Sequence, residues 1–319
     1  MNILITGITG SGGSYLAEYI LKNHPEYEVW GMARWHSTSI LRNISKIKDK
    51  IIMRECDLND LSSIIRVLDE CKPIKIFHLA ATANVHISFK TPLAVLNNNI
   101  SGTANLLEAV RMVCPETIFQ ICSTSEVCGT PLTTPITEEH QLNPSNSYAV
   151  SKLAGEKLAY SYFVSWKMPI VITRAFCYIN PRRHDLFATA FALQVARIEK
   201  GTQDVLNHGN LKSIRTIMDV RDMAEAYWIA SDKCEYGTPY NIGGVDPISV
   251  GEFLEILKSK SKVPIISKLN PNLLRASDVT NQVPDVSKFS KQTGWEPKIK
   301  LNESIDWLLE CCRKVVEEE

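Results

Sequence analysis

Apolar runs of five to seven residues recur through the first half of the chain: NILIT (2–6), EVWGMA (28–33), IIMRECD (51–57), IKIFHLA (74–80), TIFQICS (117–123) and PIVITRA (169–175). Near-continuous apolar runs of this length read as strands buried on both faces. Between them lie SYLAEYILKN, LSSIIRVLDEC and PLAVLNNNISGTANLLEAVRMV, whose apolar positions return every three to four residues and therefore read as helices. Strand and helix in strict alternation predict a parallel sheet with helices on both faces.

Beyond about residue 175 the alternation weakens. YINPRRHD reads as a loop, 185–200 as a helix, 215–232 as a loop leading into a helix, and PYNIGG as a short strand. Helices at 249–260 and 301–317 flank the proline-containing VPIISKLNPNLL, and together they read as a smaller lobe. The pattern predicts an α/β chain: a doubly wound parallel sheet in residues 1–175 plus about 205–240, and a smaller C-terminal α/β domain from about 176–204 and 241–319. A cleft between the two is the expected binding site. There is no internal repeat and no low-complexity linker.

Composition narrows the partner. The 35 basic and 35 acidic side chains cancel, and the longest like-charge run is the EEE at 317–319. That gives no case for a nucleic-acid stripe or a membrane-surface patch and makes a small molecule the default partner. No apolar stretch reaches 18 residues, and the opening MNILITGITGSGG enters a strand with no cationic segment before it. A soluble, unprocessed, cytoplasmic chain is expected, with the Asn-x-Ser matches at Asn43, Asn99 and Asn302 as chance. The nine cysteines are odd in number and scattered, without a C-x-x-C pair or a histidine cluster, so reduced thiols and no metal are expected.

The chemistry begins in TGITGSGG. Gly7, Gly10 and Gly13 lie between a predicted strand and a predicted helix, where glycines permit a tight turn and let a pyrophosphate approach the helix N-terminus. The second strand ends in GMARWHS, with Arg34 where an acidic residue would bind both ribose hydroxyls of NAD. A guanidinium there suits a 2′-phosphate, which favours NADP over NAD; His36 and Ser37 stand close by in the sequence. Asp57, followed by Leu58, ends the third strand and is placed either against the adenine amino group or as the N-cap of the next helix. Ala80 and Ala81 in HLAA put small residues where a flat ring must pass.

NSYAVSKLAGEKLA carries Tyr148 and Lys152, four apart and so on one helical face. A lysine ammonium beside a phenol lowers its pKa from about 10, each unit being worth about 1.4 kcal/mol, and prepares the tyrosine to exchange a proton with a substrate hydroxyl. The strand end STSEVCG adds Thr124, Ser125 and Glu126 in one turn.

With these motifs together, the chain resembles the extended short-chain dehydrogenase/reductases that act on nucleotide sugars, and within them the GDP-mannose 4,6-dehydratases and GDP-4-keto-6-deoxymannose reductases. The likeness runs from the glycine motif through HISFKTP (86–92), STSEV, Tyr148, Lys152, NPRRHD (180–185) and RASDV (275–279) to TGWEP (293–297). It implies a Rossmann-like sheet with strand order 3-2-1-4-5-6-7 plus a sugar-nucleotide domain. It also implies a reaction in which Tyr148 takes the C4 hydroxyl proton, Thr124 steadies the 4-oxygen, Glu126 removes the C5 proton and Ser125 serves the leaving C6 hydroxyl. Ser88 and Asn99 become candidate substrate anchors, and Arg182, Arg183, Arg215 and Arg275 candidate diphosphate ligands, with Arg215 and Arg275 preferred because Arg182 and Arg183 read as solvated. A homodimer or homotetramer built on helices 93–113 and 148–165 is likewise implied.

Two positions depart from the family pattern. Glu126 is followed by Val127 and Cys128 where the dehydratases carry Leu-Tyr, and RAFC places Cys177 where an asparagine holds the sugar nucleotide. Both cysteines read as core thiols, and the change of shape and hydrogen bonding leaves the sugar open. A reductase of the 4-keto product, a 4-oxidase or epimerase, and a non-catalytic cofactor-binding protein are the competing readings; of these, a reductase has no use for Glu126.

Overall fold

The structure is a computed structural model and describes residues 1–34, 41–274 and 279–319. The six apolar runs form β1 (Asn2–Thr6), β2 (Glu28–Ala33), β3 (Ile52–Glu55), β4 (Lys75–His78), β5 (Ile118–Thr124) and β6 (Ile170–Ala175). With Pro239–Ile242 at the far edge they make a seven-stranded sheet in the order β3-β2-β1-β4-β5-β6-Pro239–Ile242, and every pairing is parallel.

Alternation along β1 explains why the strands are apolar throughout. Ile3 and Ile5 point into a core with Leu16, Ile20, Phe77 and Trp228, while Leu4 points the other way, into a core with Trp30, Leu68, Leu107 and Phe119. Helices Ser11–Asn23 and Val220–Lys233 cover the first face, and Leu61–Cys71, Gly102–Val113 and Ser147–Trp166 the second. The chain leaves β1 toward β2 and later returns to β4 on its other side, so a crevice opens at the C-terminal ends of β1 and β4, where doubly wound sheets bind their ligands.

The smaller lobe has its own core of Ile179, Phe191, Leu206, Phe253, Leu257, Ile305 and Leu308. It corrects part of the sequence-based division. Leu206–His208 pairs with Ser267–Leu269, and Ile214–Thr216 pairs with both Pro247–Ser249 and Asn281–Gln282, so residues 205–216 belong with the small lobe. Conversely, Asn241 and Ile242 complete the large sheet. Strands of two or three residues are too short to show a period, which is why the boundary was misplaced.

Candidate active site

The glycine turn is built by close approach. Gly7 has φ +71°, and a Cβ there would lie 2.8 Å from the Ala80 backbone. A Cβ on Gly13 would lie 2.3 Å from the Gly7 carbonyl oxygen, so the helix sits directly on the turn. Gly10 caps helix Ser11–Asn23 without any side-chain hydrogen bond. The first-turn N–H groups therefore have no side-chain acceptor at the cap, and this donor set fits the pyrophosphate of a dinucleotide.

At the end of β4 a buried chain of hydrogen bonds has only one consistent polarity. Thr103 Oγ1 gives its proton to the Asn99 carbonyl at 2.6 Å, so it accepts from His78 Nε2 at 2.9 Å. His78 Nδ1 then accepts from Thr6 Oγ1 at 2.7 Å, and Thr6 Oγ1 accepts from the Ala80 N–H at 3.3 Å. Burial, with the Lys152 charge behind it, pushes the imidazole down to about 3 and keeps it neutral. His78 thus ties the cofactor turn to the helix that carries Asn99.

Asn99 sits in a π-helical turn, Asn97–Ser101, between Pro92–Leu96 and Gly102–Val113. Its oxygen accepts from Thr82 N and Asn98 Nδ2, and its nitrogen donates to Thr82 O and Ser151 Oγ. Two donors and two lone pairs are thereby all used. This corrects its reading as a substrate anchor: Asn99 joins the loop after β4 to the catalytic helix.

That helix, Ser147–Trp166, is capped by Asn146, whose oxygen accepts the Ala149 N–H at 2.8 Å. It presents Tyr148 and Lys152 toward the end of β5, where the Tyr148 hydroxyl lies beside Thr124. Burial raises the Tyr148 hydroxyl above its ordinary value; the Arg183 guanidinium and the Thr124 side chain oppose it. Lys152 is itself buried and pulled below the usual lysine range, with Cys122 and Glu156 acting against that shift. The Arg183 guanidinium is therefore a cation acting on the phenol that the spacing of Tyr148 and Lys152 did not announce.

Past Thr124 the chain turns through a short 3-10 segment, Ser125–Cys128, with the Glu126 N–H donated to Thr124 Oγ1 at 3.3 Å. The Glu126 carboxylate accepts one amide hydrogen on each oxygen, from Asn146 Nδ2 at 3.1 Å and from Gln282 Nε2 at 3.2 Å. Thr124, Ser125, Glu126, Tyr148 and Lys152 are thus gathered at one strand end, with Ser125 buried beside them.

The other predicted residues fall into place unevenly. Arg34 follows β2 directly and is exposed, whereas His36, Ser37 and Arg275 lie outside the described residues. Asp57 accepts the Asn59 N–H at 2.9 Å in its own turn, and the cap of helix Leu61–Cys71 is Asp60; this removes the N-cap reading of Asp57. Leu58 packs under Gly102, and Ala80 and Ala81 line the end of β4, half-buried. Ser88 is fully buried and gives its hydroxyl proton to Val85 O at 2.7 Å, a helix-internal role rather than an exposed anchor.

Neither Arg182 nor Arg183 is solvated, contrary to expectation. Arg182 lies 3.9 Å over the Tyr15 ring and bonds Ser14 Oγ and Glu18, which occupies the guanidinium proposed for a diphosphate. Arg183 bonds Asp185 and the Ala83 carbonyl. Arg215 is buried and donates to the Ile214 and Val279 carbonyls. Cys128 packs with Val127, Ile136 and Phe176, while Cys177 packs against the small-lobe core, so the two thiols lie in separate clusters.

Asn146 and Gln282 were missed in the sequence. Asn146 carried a signal, an N-cap residue immediately before a helix. Gln282 carried none, because it reaches Glu126 from 156 positions away.

The geometry has relatives. The family model for GDP-mannose 4,6 dehydratase matches residues 4–307. The chain belongs to the GDP-mannose 4,6-dehydratase family. It is 29% identical to the GDP-mannose 4,6-dehydratase of Vibrio cholerae over 94% of this chain and 90% of that protein. It is 27% identical to the GDP-6-deoxy-D-mannose reductase of Pseudomonas aeruginosa over 99% of each. Among solved structures, RMD from Pseudomonas aeruginosa complexed with NADPH superposes with a TM-score of 0.86 at 25% identity, over 98% of this chain and 99% of that one. The UDP-glucuronic acid 4-epimerase of Bacillus cereus, in complex with UDP-glucuronic acid and NAD, gives 0.87 at 25% identity over 99% and 100%.

Proposed function

We propose that this family member is a nucleotide-sugar 4,6-dehydratase acting on GDP-mannose or a related GDP-sugar, with NADP as cofactor. The observation that carries the reading is Glu126, a carboxylate oriented by two amides at the strand end that also holds Thr124 and next to the helix of Tyr148 and Lys152. A reductase or an epimerase at C4 needs a proton donor and acceptor but no second base.

The nicotinamide of a bound NADP would supply the hydride acceptor for C4 and the hydride donor for C6. Tyr148, beside Thr124, takes the proton of the C4 hydroxyl as the ketone forms. The ketone acidifies C5, and Glu126 takes the C5 proton while the C6 hydroxyl departs as water, protonated through Ser125 by the proton Tyr148 took from C4. A double bond forms between C5 and C6. Reduction at C6 with return of a proton to C5 closes the cycle, so oxidation at C4 and reduction at C6 cancel and one water is lost.

NADP is supported by Arg34 beyond β2 and by the NADPH of the Pseudomonas aeruginosa structure. Gly7, Gly10 and Gly13 would face the pyrophosphate, with Asp57, Leu58, Ala80 and Ala81 along the adenosine and nicotinamide path. The small lobe would hold the nucleotide sugar, with Arg215 and Cys177 on its side of the cleft. Free thiols at all nine cysteines support a cytoplasmic location, and no helix among the described residues is long and apolar enough to cross a membrane. A second copy of the chain would cover the exposed apolar face of helix Ser147–Trp166.

The reading is tested by incubating the purified protein with GDP-mannose and NADP. Formation of a 4-keto-6-deoxy sugar is expected, and Glu126→Gln is expected to abolish it while cofactor affinity is unchanged. Unaltered turnover in that variant would remove Glu126 from the mechanism. The second reading rests on the reductase relative; it predicts no water loss and NADPH-dependent reduction of the keto sugar.

A further inference from the structure

The two amides that hold Glu126 come from different lobes. Asn146 precedes the catalytic helix, whereas Gln282 lies on a two-residue strand of the small lobe. We propose that Gln282 is a positioning residue for Glu126, the contact through which the substrate lobe sets the carboxylate for the C5 proton. This rests on the dehydratase reading and adds to it the residue that aims its base.

The backbone leaves Gln282 little freedom. Asn281–Gln282 pairs in parallel with Ile214–Thr216, placing Gln282 opposite Arg215. One residue further on, the Val283 carbonyl accepts the Ile136 N–H at 2.7 Å, and the Asp285 N–H donates to the Ile136 carbonyl at 2.8 Å. The segment is therefore fastened to the small lobe on one side and to the loop following Glu126 on the other. Gln282 itself is 5% exposed, so its side chain has no solvated alternative to the carboxylate.

The residue type matters as much as its place. A carboxylate only accepts hydrogen bonds, so the Gln282 amide must turn its NH₂ toward Oε1, as Asn146 does toward Oε2. A cation at this position would pair with Glu126 and oppose proton uptake, and an acid would repel it or share its proton. A neutral amide does neither. It holds the oxygen while leaving a second lone pair for the C5 proton, and with a donor on each oxygen the carboxylate plane cannot rotate about a single contact. Without Gln282 the carboxylate swings on Asn146 alone.

The test compares wild type, Gln282→Leu and Gln282→Asn with GDP-mannose and NADP in deuterated water, following product formation, deuterium entry at C5 and nicotinamide absorbance. Misplacing the base is expected to lower kcat about 10–100-fold in both variants with a smaller change in KM. Because C4 oxidation is unaffected, reduced nicotinamide is expected to build up, which wild type does not show. Gln282→Asn keeps the amide but not its reach, so it reads the same defect if the leucine variant does not fold. Wild-type kcat in a folded variant overturns the positioning role. Equal loss of C4 oxidation and of C5 exchange also overturns it, since a general disturbance of the site would do that. Absence of water loss with the wild-type protein sinks the dehydratase reading and this inference together, an outcome visible before any variant is compared.

Discussion

A buried phenol resists losing its proton, so the charge set against that burial decides where Tyr148 works. Burial raises Tyr148 above its ordinary value, and the Arg183 guanidinium opposes it. Arg183 is held for that purpose by Asp185 and the Ala83 carbonyl. The sign follows directly: below the Tyr148 pKa the basic form grows with pH, and removing a nearby positive charge raises that pKa further. Arg183→Gln is therefore expected to move the rising limb of the pH–rate profile to higher pH, by about one unit for each 1.4 kcal/mol of lost interaction. Arg183→Lys, which keeps the charge, should move it less. A profile unchanged in Arg183→Gln would return the role to Lys152. The pairing of Tyr148 with Lys152 on one helical face was readable from spacing; the charge of Arg183 was not, because PRR in a loop shows nothing of what each arginine packs against.

Among the elements, the strand–turn–helix that opens the chain is the most demanding of its sequence. Gly13 has no room for a Cβ because the Gly7 carbonyl oxygen and carbon would lie 2.3 and 2.8 Å away, both backbone atoms that cannot step aside. Gly13→Ala must lift helix Ser11–Asn23 off the turn, which is expected to cost about 1–3 kcal/mol as overpacking and to weaken dinucleotide binding as the N–H groups move. Thermal denaturation and equilibrium binding of NADP measure the two effects; an alanine variant that binds NADP like wild type would show that the close packing is unnecessary for the cradle. Such a turn is legible because only glycine fits it, and the strands are legible because burial on both faces makes them apolar throughout. The π turn at Asn97–Ser101 was not legible. One extra residue in a turn shifts the helical period too briefly to register, yet that turn aims Asn99 across to Thr82 and Ser151.

At the scale of the whole molecule, the large parallel sheet was legible and its strand order followed from the family resemblance, while the lobe junction was not legible. The contact that brings Gln282 to Glu126 depends on where two lobes meet, and no local pattern in NQVPD encodes it. The outer surface is a different case, since exposed apolar residues on a helix do carry information. Val150, Tyr160 and Val164 share one face of helix Ser147–Trp166 at 41%, 46% and 47% exposure. Helices Pro92–Leu96 and Gly102–Val113 lie alongside, adding Leu93 and Met112 to the exposed apolar surface. A helix that is apolar on its outer as well as its inner side is a helix meant to be covered. A two-fold axis beside it would bring the same helices from a second copy into register, the commonest closed arrangement for identical chains. Sedimentation equilibrium is then expected to give a dimer. Val150→Glu with Val164→Glu places four unpaired carboxylates in that interface, at a cost of several kcal/mol, and each 1.4 kcal/mol weakens association about tenfold. The double variant should sediment as a monomer while keeping its thermal stability as an isolated chain, because neither side chain belongs to the core. A wild-type protein that sediments as a monomer at micromolar concentration would leave this face without the partner argued for it.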